Sequence, residues 1–82
     1  MKHYRLVYRQ PYECDDDIRY VQYSRAFATR GDEAVRVVVK DFLSEGGLDF
    51  GFHLGGPPAG LYPRQFVSLS AEFEPDRVIW YA

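Results

Sequence analysis

TRGDEAVRVVVKDFLSEGG, residues 29–47, decides how this chain folds. Read at 100° per residue, Ala34, Val35, Val38, Val39 and Phe42 fall in one arc, with Glu33, Arg36, Lys40 and Ser44 opposite. Thr29 and Asp32 have the spacing of a capping box. Asp32 and Glu33 suit the positive end of a helix dipole, and Gly46-Gly47 supply a stop. Val37-Val38-Val39 pulls the other way, because β-branched residues lose side-chain freedom in a helix, at a cost of roughly a few tenths of a kcal/mol each. Cap, period and stop together predict a helix over 29–45, laid across a pleated layer whose reverse side stays open.

The flanks read as strands. HYRLVYRQ (3–10) alternates, with Tyr4, Leu6 and Tyr8 on a dry face and His3, Arg5, Val7 and Arg9 on a wet one. Pro11 has no N–H to donate and is expected to end this strand. PYECDDDIR (11–19) then reads as a polar connection and RYVQYSRAFA (19–28) as an antiparallel return. In that return Val21, Tyr23 and Phe27 favour one face and Ala26 and Ala28 the other, a mixed phase that suggests a bulge. QFVSLSAEF (65–73) alternates most cleanly, with Val67, Leu69, Ala71 and Phe73 opposite Phe66, Ser68, Ser70 and Glu72. Glu74-Pro75-Asp76-Arg77 reads as a turn, and DRVIWYA (76–82) as a last strand. The expected fold class is α+β in the order ββαββ, a mainly antiparallel four-stranded sheet with one helix packed on one face. The alternative is ββαβ, with the last segment an edge or tail. Residues 1–82 read as a single domain with a radius of gyration of roughly 12 Å.

Composition narrows the function classes. Aromatics make up 17% of the chain, which argues against wholesale disorder. One cysteine, Cys14, excludes an internal disulfide framework and fits a reducing compartment. No apolar run approaches the ~20 residues of a membrane helix, and MKHYRLVYRQ lacks the apolar core of a signal peptide. The chain therefore reads as cytoplasmic, with no membrane partner. Net charge is −2, yet residues 1–40 hold eight of the ten Lys and Arg. That is too weak an excess for a general nucleic-acid binder but leaves a local Arg-rich patch.

Residues 46–64 form a Gly/Pro/aromatic-rich loop between the helix and the third strand, with Asp49 to His53 a candidate short strand inside it. Loops of this length in a compact domain are usually functional or mobile. Some of its apolar side chains are expected to complete a small core. Leu54, Pro57, Pro58, Leu61, Tyr62 and Arg64 are the candidate partner-binding residues. A second constellation, Arg5, Arg9, Tyr20, Tyr23 and Arg25, has the cations and aromatic platforms that hold single-stranded nucleic acid. Solvated sheet residues of the same types are the plainer account of it. Glu13-Cys14-Asp15-Asp16-Asp17 matches no metal-ligand spacing and reads as a solvated hairpin loop. Arg30-Gly31-Asp32 is explained by its place at a helix start.

Catalysis has little support. His3 and His53 are the only histidines, Cys14 lies among acids rather than beside a base, and no nucleophile, phosphate-loop or zinc motif is present. An enzyme would need a cleft around His53. No catalytic residue, cofactor or metal is assigned. The sequence thus favours a small non-catalytic protein-binding module of adaptor or inhibitor type, with self-association through the sheet or an edge strand in the same class. Single-stranded nucleic-acid binding through the Arg/Tyr face is the alternative.

Overall fold

The computed structural model describes residues 1–15, 17–46, 48–50, 60–72 and 74–81. In chain order the elements are β1 (Lys2–Cys14), β2 (Asp17–Thr29), α1 (Asp32–Glu45), β3 (Leu48–Phe50), β4 (Gly60–Tyr62), β5 (Gln65–Ala71) and β6 (Glu74–Tyr81). The main sheet runs β2-β1-β5 as three antiparallel strands, with β6 along the outer side of β5. Two register shifts break the β5–β6 pairing, so β6 is an irregular edge and not a continuous ladder. β3 and β4 form a separate two-stranded sheet. The expected ββαββ four-stranded sheet is therefore corrected. Its regular part is three-stranded, and two further strands lie between the helix and β5. The alternative with a terminal edge segment lies closer to what is found.

α1 packs on the face where β1 shows Tyr4, Leu6 and Tyr8. Tyr4, Leu6, Leu69, Val35, Val39 and Phe42 are buried together, with Tyr8, Phe27, Leu43, Phe66 and Ile79 packed around them. Only Val35, Val39 and Phe42 of the helix are buried, an i, i+4, i+7 stripe narrower than the expected arc; Ala34 and Val38 are exposed. Full burial of one such apolar side chain is worth about 1.5–3 kcal/mol, so each member of this small cluster weighs on the stability of the fold.

The capping box does not form. The helix begins at Asp32 after an extended Gly31, and no side chain caps it. The buried Thr29 hydroxyl donates to the Gly31 carbonyl at 3.0 Å. The Asp32 carboxylate accepts from the Tyr4 phenol at 2.8 Å. A phenol driven into a core needs an acceptor, and this demand takes the carboxylate away from the helix end.

β5 departs from strict alternation. Val7 pairs with Ser68 and Tyr8 with Phe66, leaving Val67 as the extra residue of a bulge. The bulge turns Phe66 toward the core, where alternation alone would put it on the other side. No bulge interrupts β1 against β2, which stay paired from Lys2–Thr29 to Cys14–Asp17. The result is long: 46 × 19 × 17 Å with a radius of gyration of 14.9 Å, above the compact expectation. Thirteen residues per strand, at roughly 3.3 Å each, account for the long axis.

Candidate functional site

β5 accompanies β1 only from Tyr4 to Arg9. Beyond Arg9 the first hairpin continues as a two-stranded arm made of residues 10–14 and 17–21. The expected polar connection over 11–19 is thus corrected to residues 15 and 16, between the closing pair Cys14–Asp17. Asp15 takes φ 50°, a left-handed conformation that a short polar side chain tolerates. Tyr12 and Val21 are each 39% exposed and Tyr23, at the root of the arm, 51%. All three are large side chains that are only partly covered, Tyr23 by the Tyr8 ring at 6.1 Å.

Hydrogen-bond phase explains why Pro11 does not end the strand. In a two-residue hairpin the closing pair exchanges both backbone bonds, and such pairs then alternate along the ladder. Even-numbered residues of β1 and odd-numbered residues of β2 therefore bond each other. Odd-numbered residues of β1 face β5, as the Glu72 N–H donating to the His3 carbonyl at 3.0 Å illustrates. Pro11 is odd-numbered and lies past the last β5 pair, at Arg9–Gln65, so its missing N–H removes no rung of the ladder.

The same phase fixes the outer edge of β2. Ile18, Tyr20, Gln22, Ser24, Ala26 and Ala28 aim their backbone N–H and C=O groups away from β1, and no strand of the described sheets lies on that side. β2 contains no Pro, Gly or Lys and no bulge against β1. β2 does carry charged side chains, at Asp17, Arg19 and Arg25, but lacks the proline, lysine and bulge that commonly protect an exposed strand edge. The opposite edge of the sheet differs: β6 carries Pro75 and pairs irregularly.

Phe42, near the end of the helix, organises the surface beside this edge. The Arg64 guanidinium lies 3.9 Å and that of Arg25 4.9 Å from its ring centre. Tyr8 and Phe27 meet the same ring edge-on at 5.0 and 5.5 Å. Arg64 also closes the helix C-terminus. Its guanidinium donates to the Phe42 carbonyl at 2.8 Å and to Gln10 Oε1 at 2.6 Å, and its backbone N–H donates to the Leu43 carbonyl at 3.2 Å. Terminal helix carbonyls have no partner within the helix and favour a cation. A Cβ on Gly46 would collide with that guanidinium. Between α1 and β2 an open groove of about 320 Å³ is lined by Arg25, Phe27, Val38, Asp41, Phe42 and Glu45. Its floor is aromatic and two carboxylates stand on its rim.

The sequence-derived candidates separate. Leu54, Pro57, Pro58 and His53 lie outside the described residues. Leu61 falls in β4, opposite Asp49 of β3, so the ends of the 46–64 segment are drawn together by a short ribbon. Tyr62 is half-buried. Arg64 is engaged within the protein, as above. Of the nucleic-acid set, Arg5, Arg9 and Tyr20 face the side without a helix, and Tyr23 and Arg25 face the helix side. Arg5 is further tied to Ser24 at 3.1 Å and to Glu72 at 2.8 Å. The five do not form one surface. The arm and its edge had one sequence signal: the β-formers Tyr12, Ile18, Tyr20 and Val21 on both sides of the Asp run.

Among the described residues no helix is long and apolar enough to cross a membrane. No family model, curated protein or solved structure is significantly similar to the chain. The candidate site rests on its geometry.

Proposed function

We propose that this chain is a small non-catalytic protein-binding module, of adaptor or inhibitor type, whose contact surface is the hairpin arm and the adjoining open edge of β2. One observation carries this reading: the first hairpin runs past its third strand and presents Tyr12, Val21 and Tyr23 beside an unpaired strand edge that has no proline, lysine or bulge. Exposed aromatic side chains offer apolar contact area at low entropic cost, and a free edge offers a row of backbone donors and acceptors. Either feature alone is ordinary on a protein surface. Their coincidence on a protruding element is what supports recognition of another polypeptide.

The test is capture from a cell extract on immobilised wild type, compared with a Tyr12→Ser/Tyr23→Ser variant verified to be folded by circular dichroism. Proteins retained by the wild type and lost by the variant, then shown to bind as purified components, are the expected result. Identical retained sets on both would overturn the reading.

A further inference from the structure

We infer that the open edge of β2 pairs with β2 of a second copy, antiparallel about a two-fold axis through Tyr23. This rests on the binding reading above and names one partner for the same edge.

Three features of β2 select that register. Tyr23 is the midpoint of a strand that runs from Asp17 to Thr29, so an axis there lets the two strands overlap along their whole length. Ile18 of one copy then faces Ala28 of the other, Tyr20 faces Ala26, and Gln22 faces Ser24. All six outward-pointing residues fall into hydrogen-bonded pairs, each joining a larger side chain to a small one on the helix-free face. Pairing of this kind sets no two bulky side chains directly against each other.

The helix-side face is matched in charge. Arg19 of each copy falls opposite Phe27 of the other, beside the groove rimmed by Asp41 and Glu45. Arg19 is exposed and has no ion pair among the described residues. The groove then holds two cations, Arg19 of one copy and Arg25 of the other, the latter already 5.5 Å from the Phe27 ring centre, against two carboxylates. Neighbouring registers fare worse. An axis at Gln22 sets Arg19 directly against Arg25 in both halves, a like-charge pairing that destabilises a ladder. An axis at Ser24 leaves Asp17 and Ile18 without strand partners and moves Arg19 to Thr29, away from the groove.

The pairing also completes the arm. A two-stranded ribbon is at best marginally stable in water, and residues 17–21 have no further strand on their outer side. In the dimer they lie against residues 25–29 of the second copy, the part of β2 backed by the helix. The two Phe27 positions, each eight residues from its partner's Phe27, stand about 26 Å apart along the ribbon, leaving room for both helices on one face.

Three measurements on the full chain decide it. Sedimentation equilibrium from micromolar to millimolar concentration is expected to show a doubling of mass, abolished by Gln22→Pro. That proline removes an outward N–H from an edge position, where the monomer tolerates it. Amide exchange of Tyr20, Gln22, Ser24 and Ala26 is expected to slow by about tenfold or more as concentration rises, while Tyr23 and Arg25, bonded to β1 within the three-stranded part, stay protected throughout. In a Cys14→Ser background, oxidised Tyr23→Cys is expected to form a covalent dimer and Val21→Cys is not. Directly opposed residues in a wide pair have Cα atoms about 4.5 Å apart, within disulfide range. If Gln22→Pro fails to fold, the exchange and cross-linking results decide alone. A wild type that stays monomeric with solvent-rate exchange at the even-numbered amides would overturn self-pairing and leave the broader reading to the capture experiment. A dimer that cross-links through Val21→Cys in preference to Tyr23→Cys would overturn the register.

Discussion

The two ends of the first hairpin are built from the same residue types yet live in different environments. At its open end Tyr4 and Leu6 are buried beneath α1 and beside β5. Toward its turn Tyr12 and Val21 continue the same inward alternation into solvent. The contrast teaches that period-2 patterning specifies which face of a strand is apolar, and that a third strand and a helix determine whether that face is dry. In this protein the pattern outruns its cover.

That comparison can be broken most directly in the core. Leu69→Ala, at a fully buried position facing Leu6, is expected to cost about 3 kcal/mol in urea unfolding. Tyr12→Ser on the arm is expected to stay within about 0.5 kcal/mol, as exposed substitutions do. Similar losses at both sites would mean that the arm is as integral to folding as the body. Next in size is the closure of the helix, the point where the covered end stops. Arg64→Ala removes two charge-assisted donors and the cation on Phe42, for an expected loss of about 2 kcal/mol. Gly46→Ala, which displaces the same guanidinium, is expected to lose about 1 kcal/mol, and its effect should shrink in an Arg64→Ala background.

Smaller again is Tyr4→Phe. Deleting the phenol that Asp32 accepts is expected to cost about 1 kcal/mol and to loosen amide protection in the first helical turn. The smallest effect is on the helix-free face. The Arg5 side of the Arg5–Glu72 pair is 45% exposed, so Arg5→Ala is expected to change stability by less than about 0.5 kcal/mol. A thermal melt that resolves a larger change would show that this face is less open to water than its exposure implies.

What the sequence made legible is the part governed by local pattern. The heptad-like spacing of Val35, Val39 and Phe42 located the helix, and the alternation of Tyr4, Leu6 and Tyr8 located the dry face. What stayed hidden depends on neighbours distant in the chain. Pro11 and the Asp run read as strand breakers because whether a proline costs a rung depends on which strand lies beside it. Thr29 and Asp32 match a capping box by spacing, but Tyr4, 28 residues away, claims the carboxylate. Arg64 looked like a solvent-facing contact residue because nothing nearby in sequence announces the helix end it closes. An edge strand as a contact surface is legible in the sequence, and which edge is not, for the same reason: a strand's length beyond its third neighbour is a property of pairing and not of composition.

The ribbon of β3 and β4 holds the two ends of the 46–64 segment together, and Gly46 and Arg64 at its limits are hydrogen-bonded to the body through Gln10 and the Phe42 carbonyl. Once such ends are fastened, the entropic penalty of a longer connection grows only with the logarithm of its length, about 0.6 kcal/mol per doubling. The paired neck of β3 and β4 therefore limits what length by itself can cost: doubling the number of residues between Phe50 and Gly60 is expected to add only about 0.6 kcal/mol of closure entropy.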